Sequence, residues 1–156
     1  KETKQIQSQG GCTIKIMVAY DGTLQAKEAL VYGMDKAREK GGEVVALHVF
    51  NSAMFVDYDA TVNAKSVAQA ESARFVAEAK AIIREKGKGV KASLYSTEGN
   101  PNEETISFAK AEKVDVLLCP PKFTKIIGKY QKALGESELA SEAAKLHVAA
   151  LSTKTL

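Results

Sequence analysis

One stretch near the amino end constrains the fold more than any other: Thr13-Ile14-Lys15-Ile16-Met17-Val18-Ala19-Tyr20-Asp21-Gly22-Thr23. It is apolar for most of its length, carries β-branched residues and breaks abruptly at Asp21-Gly22-Thr23. A near-continuous apolar run of this length suits a strand buried on both faces, as in a parallel sheet covered by helices. The Asp-Gly pair ends the strand in a turn, and Thr23 is placed to cap the helix that follows. The carboxyl end of such a strand, at Tyr20 and Asp21, opens into the crevice where open α/β sheets take ligands.

The rest of the chain repeats the pattern. A helix is expected from about Leu24 to Lys40, with Ala26, Leu30, Gly33, Met34 and Ala37 on one face and Gly41-Gly42 as its stop. Glu43 to Phe50 is a second buried strand. A longer helix runs from Ala64 to Lys86, with Val67, Ala68, Phe75, Val76, Ala79, Ile82 and Ile83 facing in. Val90 to Thr97 alternates, with Val90, Ala92 and Leu94 on one side and Lys91, Ser93 and Tyr95 on the other. Alternation marks a strand near a sheet edge. Asn100-Pro101-Asn102-Glu103 is a helix start, with Asn100 as cap, Pro101 in the first turn and Glu103 closing a capping box. That third helix reaches about Lys113 with Ile106 and Ala109 inward. Val114 to Cys119 is a fourth strand closed by Pro120-Pro121. A last helix over Glu138 to Lys145, capped by Ser137, leads to a fifth strand over Leu146 to Ser152.

Five strands alternating with four helices give an α/β three-layer sandwich, a five-stranded parallel sheet with helices on both faces. A chain of 156 residues suits one domain, here residues 13–156, preceded by a flexible polar arm over residues 1–12. Asn51 to Val62 carries Met54, Phe55, Val56 and Tyr58, too apolar for a fully solvated loop. It reads as cover over the sheet or a dimer element, with a lid over the ligand crevice as the sharper alternative.

The 22 basic and 19 acidic residues interleave without a basic stripe, which argues against nucleic acid as a partner. No apolar run approaches the ~20 residues of a membrane span, so no membrane association is expected. Cys12 and Cys119 would fall at opposite ends of neighbouring parallel strands, too far apart for a disulfide, whose Cα atoms lie within ~7 Å. Reduced thiols fit a cytoplasmic setting.

The residues Ile16-Met17-Val18-Ala19-Tyr20-Asp21-Gly22, Leu47-His48-Val49, Glu98-Gly99-Asn100-Pro101 and Val114-Asp115-Val116-Leu117-Leu118, in this order and spacing, resemble the universal stress protein family. The resemblance spans Ile14 to Leu151. It implies strand order 3-2-1-4-5 and a homodimer formed partly through the last strand, residues 146–152. An apolar edge strand must in any case be paired or covered.

In this family, ATP binders carry Gly-x-x-Gly, nine residues, then Gly-Ser or Gly-Thr after the fourth strand. The glycines let backbone amides reach the phosphates. Here Pro120 and Phe123 stand where the first two glycines belong. Proline has no amide hydrogen, and the benzyl group adds bulk. Gly135 remains at the helix start, but Glu136 follows it and the hydroxyl comes at Ser137; Gly128 lies too close to Gly135. The expectation is therefore a non-enzymatic stress-response homodimer acting through protein partners, with no cofactor and no tight ATP binding.

The alternative is a nucleotide-binding switch holding ATP or AMP through a rearranged loop. The resemblance would then place the ligand at Ala19, Tyr20, Asp21, Val49, Gly128, Gly135 and Ser137. Asp21 reads equally as a turn former. Lys122, Lys125 and Lys129 offer charge for an anion but read first as a solvated loop. His48 reads as a packed strand-end residue, His147 as a dimer or surface residue, and Cys119 as a small buried filler. A phosphorelay receiver would need an aspartate where Ser96 and Thr97 stand, and a flavin site needs more hydroxyls than Asp21-Gly22-Thr23-Leu24-Gln25 supplies. Without a visible nucleophile–base pair, no catalysis and no metal centre is expected.

Overall fold

The computed structural model describes residues 14–50, 64–120, 140–146 and 148–152. In chain order these form β1 (Lys15–Ala19), α1 (Leu24–Lys40), β2 (Glu43–Phe50), α2 (Ala64–Lys86), β3 (Lys91–Glu98), α3 (Pro101–Ala111), β4 (Val116–Cys119), α4 (Ala140–Ala144) and β5 (Ala149–Ser152). The strands make one sheet in the order β3-β2-β1-β4-β5. β1 is central, and its apolar run is consumed on every side. Ile16 lies between Val44 and Val116, Met17 between Val45 and Leu117, and Val18 between Ala46 and Leu118. All three side chains are fully buried.

Alternation along the strands sorts the core into two faces. Ile16, Val18, Tyr20, Val44, Ala46, Val116 and Leu118 pack with α1, with Ala79 of α2 and with Ala143 of α4. Met17, Ala19, Leu47, Val49, Leu117 and Cys119 pack under Ile106 and Ala109 of α3. α1 buries Ala26, Ala29, Leu30, Gly33, Met34 and Ala37, the stripe its periodicity predicts. Its last turn is closed by Gly41, left-handed at φ 71°, whose N–H donates to the Ala37 carbonyl. Arg38, near that end of the helix, donates to the carbonyls of Lys86 and Lys88 and so caps the exit of α2. At the start of α3, the Glu103 N–H donates to Asn100 Oδ1 at 3.2 Å, as the capping pattern requires.

At the amino end of the sheet, Lys15 ties three elements together. Its Nζ reaches Glu112 at 2.9 Å and Glu43 at 3.7 Å, while its N–H donates to the Asp115 carboxylate. β3 forms one edge, pairing parallel with β2 over all eight of its residues. Ala92 and Leu94 pack inward, and Tyr95 is exposed.

One expectation is corrected. The sheet is not parallel throughout: β5 runs antiparallel to β4, with Ala149 opposite Cys119 and Ser152 opposite Val116. A parallel fifth strand needs a crossover that carries the chain back along the sheet. Most of the connection from β4 to β5, residues 121–139, lies outside the described residues. The Ala143 carbonyl accepts from both Leu146 and Val148 N–H, turning the chain out of the helix at once. β5 enters at the end of the sheet where β4 leaves, Ala149 beside Cys119. It also starts at Ala149 rather than Leu146; α4 ends at Ala144, one residue before the expected Lys145, while residues 138 and 139 lie outside the described residues. No helix among the described residues is long and apolar enough to cross a membrane. The arm over 1–12, the segment 51–62, Cys12 and His147 lie outside the described residues.

Leu118 is fully buried and Leu24 is 68% exposed. Leu118→Ala should lower unfolding free energy by about 2–5 kcal/mol. Leu24→Ala should change it by less than about 0.5 kcal/mol. Urea titration followed by circular dichroism measures both.

Candidate functional site

The candidate crevice lies at the carboxyl end of β1. The Tyr20 N–H donates to the Leu47 carbonyl at 2.9 Å, one step past the last residue of β1, so the backbone is held up to the turn. The Tyr20 carbonyl faces His48 Nδ1 at 3.0 Å. Asp21 then starts a short relay. Its Oδ1 accepts from the Thr23 N–H at 3.1 Å and from the Thr23 hydroxyl at 2.6 Å, and Thr23 Oγ1 accepts from the Ala26 N–H at 3.2 Å. Asp21 is thus the turn former that fixes the cap of α1, one of the two roles its sequence allows. Its other oxygen, Oδ2, is buried and has no hydrogen-bond partner among the described residues.

The predicted site residues separate by face. Ala19 and Val49, both buried, belong to the α3 side of the sheet, while Tyr20 is fully buried on the α1 side. The β1–β2 register, Ala19 opposite Leu47, sets Val49 level with Asp21. Pro120 directly follows β4 and is buried, so the backbone there offers no N–H at the mouth of the crevice. Phe123, Gly128, Gly135, Glu136, Ser137 and the lysines at 122, 125 and 129 lie outside the described residues.

A residue that sequence reasoning assigned only to the core turns out to shape this end of the sheet. The Phe75 ring of α2 lies so close over Gly22 that a Cβ there would clash with its ring carbons. Gly22 also has φ +80°, a conformation that favours glycine. The same ring stands edge-on to His48, 5.4 Å between centroids at 80°, and the Arg74 guanidinium lies 4.9 Å from its centre. His48 also stacks on Phe50 at 6.5 Å. His48 is accordingly a packed strand residue.

Below this layer sits a polar cluster. The Tyr20 hydroxyl is buried and has no hydrogen-bond partner among the described residues. Glu78 of α2 approaches Lys27 of α1 at 3.7 Å. Burial, with the charges of Glu78 and Asp21 adding to it, pushes the Tyr20 phenol up to about 12. Burial alone pushes the Cys119 thiol far up, which keeps it protonated and removes it as a nucleophile. Among the described residues, no three His, Cys, Asp or Glu side chains gather as metal ligands.

Two outcomes follow from this packing. Gly22→Ala should cost about 2 kcal/mol or more, combining left-handed strain of ~1–2 kcal/mol with displacement of the Phe75 ring. In a Phe75→Ala background the same change should cost at least about 1 kcal/mol less, a coupling that a double-mutant cycle of urea midpoints reads directly. The second outcome concerns pH. Tyr20 holds its proton more tightly folded than unfolded, so its contribution is intact below its ordinary value of 10.0 and is lost as pH rises towards about 12. Urea melts near pH 8 and pH 11 should show wild type losing more stability than Tyr20→Phe. At neutral pH that variant should match wild type or exceed it by up to about 1 kcal/mol, because the unpartnered hydroxyl is gone.

Comparison with known proteins gives a consistent answer. No curated protein sequence matches the chain. Among solved structures, a universal stress protein family member from Burkholderia pseudomallei superposes with TM-score 0.56, at 18% identity over 70% of this chain and 82% of its own. A universal stress protein crystallised in complex with cAMP gives TM-score 0.52, at 14% identity over 69% of this chain and 72% of its own. UspA from Lactobacillus plantarum gives 0.50, at 17% identity over 69% and 77%. At such identities the likeness speaks for the fold. The sequence profile of the universal stress protein family, in contrast, matches residues 14–122, well over half of the chain. With the profile match, the strand order and the turn at Asp21 in agreement, the chain belongs to the universal stress protein family.

Proposed function

We propose that this universal stress protein is a non-enzymatic, cytoplasmic homodimer of the stress response that acts through protein partners and does not bind ATP tightly. The observation that carries this is Pro120. It stands where the family's ATP binders place the first glycine of the phosphate loop, and it has no amide to donate. Micromolar affinity corresponds to about 8 kcal/mol, which a cradle missing a backbone donor is poorly equipped to supply. The commitment of Asp21 Oδ1 to the cap of α1 adds support, since half of that carboxylate already serves the fold. For catalysis, a protonated Cys119 and a His48 packed between Phe50 and Phe75 leave no convergent nucleophile and base among the described residues.

A second reading has one observation behind it. Asp21 Oδ2 is buried and has no hydrogen-bond partner among the described residues, and a ribose hydroxyl or an exocyclic amine would satisfy it. A structural relative crystallised in complex with cAMP keeps a nucleotide in view. On this reading the chain is a switch that holds AMP or ATP through a rearranged loop after β4.

Equilibrium dialysis of the purified dimer against ATP, AMP and cAMP separates the two. The expected result is no stoichiometric binding in the micromolar range. Stoichiometric micromolar binding that disappears in Asp21→Ala would establish the switch instead.

A further inference from the structure

We propose that Tyr20, Asp21 and Glu78 form a binding site for one alkali cation, sodium or potassium, where the end of β1 meets α1 and α2. Tyr20 is fully buried, and its hydroxyl has no hydrogen-bond partner among the described residues. It packs in the same core face as Ala26 of α1 and as Phe75 and Ala79 of α2. That packing gathers the neighbours of those residues: Asp21 beside Tyr20, Lys27 beside Ala26 and Glu78 beside Ala79. Asp21 Oδ2 and Glu78 Oε1 are likewise buried without a hydrogen-bond partner among the described residues, although both side chains reach partly to the surface. Burial does most to hold the proton on the Tyr20 phenol, and the charges of Glu78 and Asp21 add to it, so both carboxylates lie within electrostatic reach of the hydroxyl. Three oxygens that interact across more than a hydrogen-bond length call for a group between them.

Charge decides what that group is. Asp21 and Glu78 bring two negative charges, and Lys27 returns one positive charge, 3.7 Å from Glu78 Oε1. One negative charge is left over in a partly dry place, where it is costly. A water molecule would satisfy the hydrogen bonds and leave the charge. A divalent ion would overshoot it by one. A monovalent cation cancels it. The ligand set agrees, since a neutral phenol and two carboxylates are hard oxygen donors. No third His, Cys, Asp or Glu joins the two carboxylates as a ligand among the described residues, so a divalent or transition ion has too few holders. The bonds from Thr23 to Asp21 Oδ1 hold the carboxylate in place and so fix the position of Oδ2. The cation would join the turn after β1 to α2, the same two elements that Gly22 and Phe75 bring into contact.

The test is thermal unfolding of the full chain at neutral pH, followed by circular dichroism, as potassium or sodium chloride replaces tetramethylammonium chloride at constant ionic strength. The bulky ion controls for screening. Wild type should gain about 3–6 °C in Tm at ten times the dissociation constant, with the saturation of a single site. Glu78→Gln should abolish the gain, and Tyr20→Phe should weaken the apparent affinity at least threefold. Lys27→Gln, which leaves a second charge uncancelled, should strengthen it at least threefold. The match of Tyr20→Phe to wild type given above then holds in tetramethylammonium chloride. Broadening of the sodium NMR line by wild type, absent with Glu78→Gln, reads the same site without unfolding. An equal rise in all three salts, a gain that survives Glu78→Gln, a gain with magnesium chloride alone, or no gain up to about 1 M salt overturns the proposal.

Discussion

Everything in this fold hangs on β1 being paired along both edges and covered on both faces. Ile16, Met17 and Val18 each meet one residue of β2 and one of β4, and none exposes side-chain surface. Each such side chain contributes about 1.5–3 kcal/mol by leaving water. The greater consequence is uniqueness of register. Because side chains alternate, a slip of one residue would exchange the α1 face with the α3 face. Ile16 and Val18 would then face α3, and Met17 would face α1. Helix packing on both sides opposes the slip, so the place where β1 ends is fixed.

That fixed end explains why one turn does two things. Tyr20 is held by its N–H to Leu47 and meets His48 through its carbonyl, so Asp21 is delivered to one place. There one carboxylate oxygen organises Thr23 and the first turn of α1, and the other has no partner among the described residues. A buried carboxylate oxygen without a partner is costly, which makes it either a strain tolerated for the sake of the cap or a seat for a donor from outside. Phe75 narrows the choice of approach. Its ring closes the α1–α2 side of the turn against Gly22 and His48.

What was legible in the chain was local or periodic. The buried stripe of α1, the inward pair Ile106 and Ala109, and the Asn100 cap are each decided within a few residues, and each is found as expected. The direction of β5 was not legible, because a strand's apolar alternation reads the same in both directions. Direction is decided by the path from β4 to β5, and most of that path, residues 121–139, lies outside the described residues. The contact of Phe75 with Gly22 was hidden for another reason. It joins positions far apart in sequence, and an aromatic on the inner face of a helix announces burial without naming its neighbour. Of the predicted ligand set, the structure brings Ala19, Tyr20, Asp21 and Val49 to one end of the sheet but divides their side chains between two faces. Gly128, Gly135 and Ser137 fall outside the described residues.

The position of Pro120 shows why a chain can keep this fold without an amide donor just after β4. Pairing of β4 with β1 extends to Leu118 and its pairing with β5 to Cys119. Position 120 lies one residue beyond the last rung, where neither ladder asks for an N–H. Proline inside β4 would delete a rung and disturb the centre of the sheet; proline just after it removes a donor that only a ligand would use. The core therefore exerts no pull to retain an amide at this point, and ligand binding alone would. The fold and an N–H donor at position 120 are therefore separable. The match of the family profile over residues 14–122 is therefore no measure of the chemistry after β4.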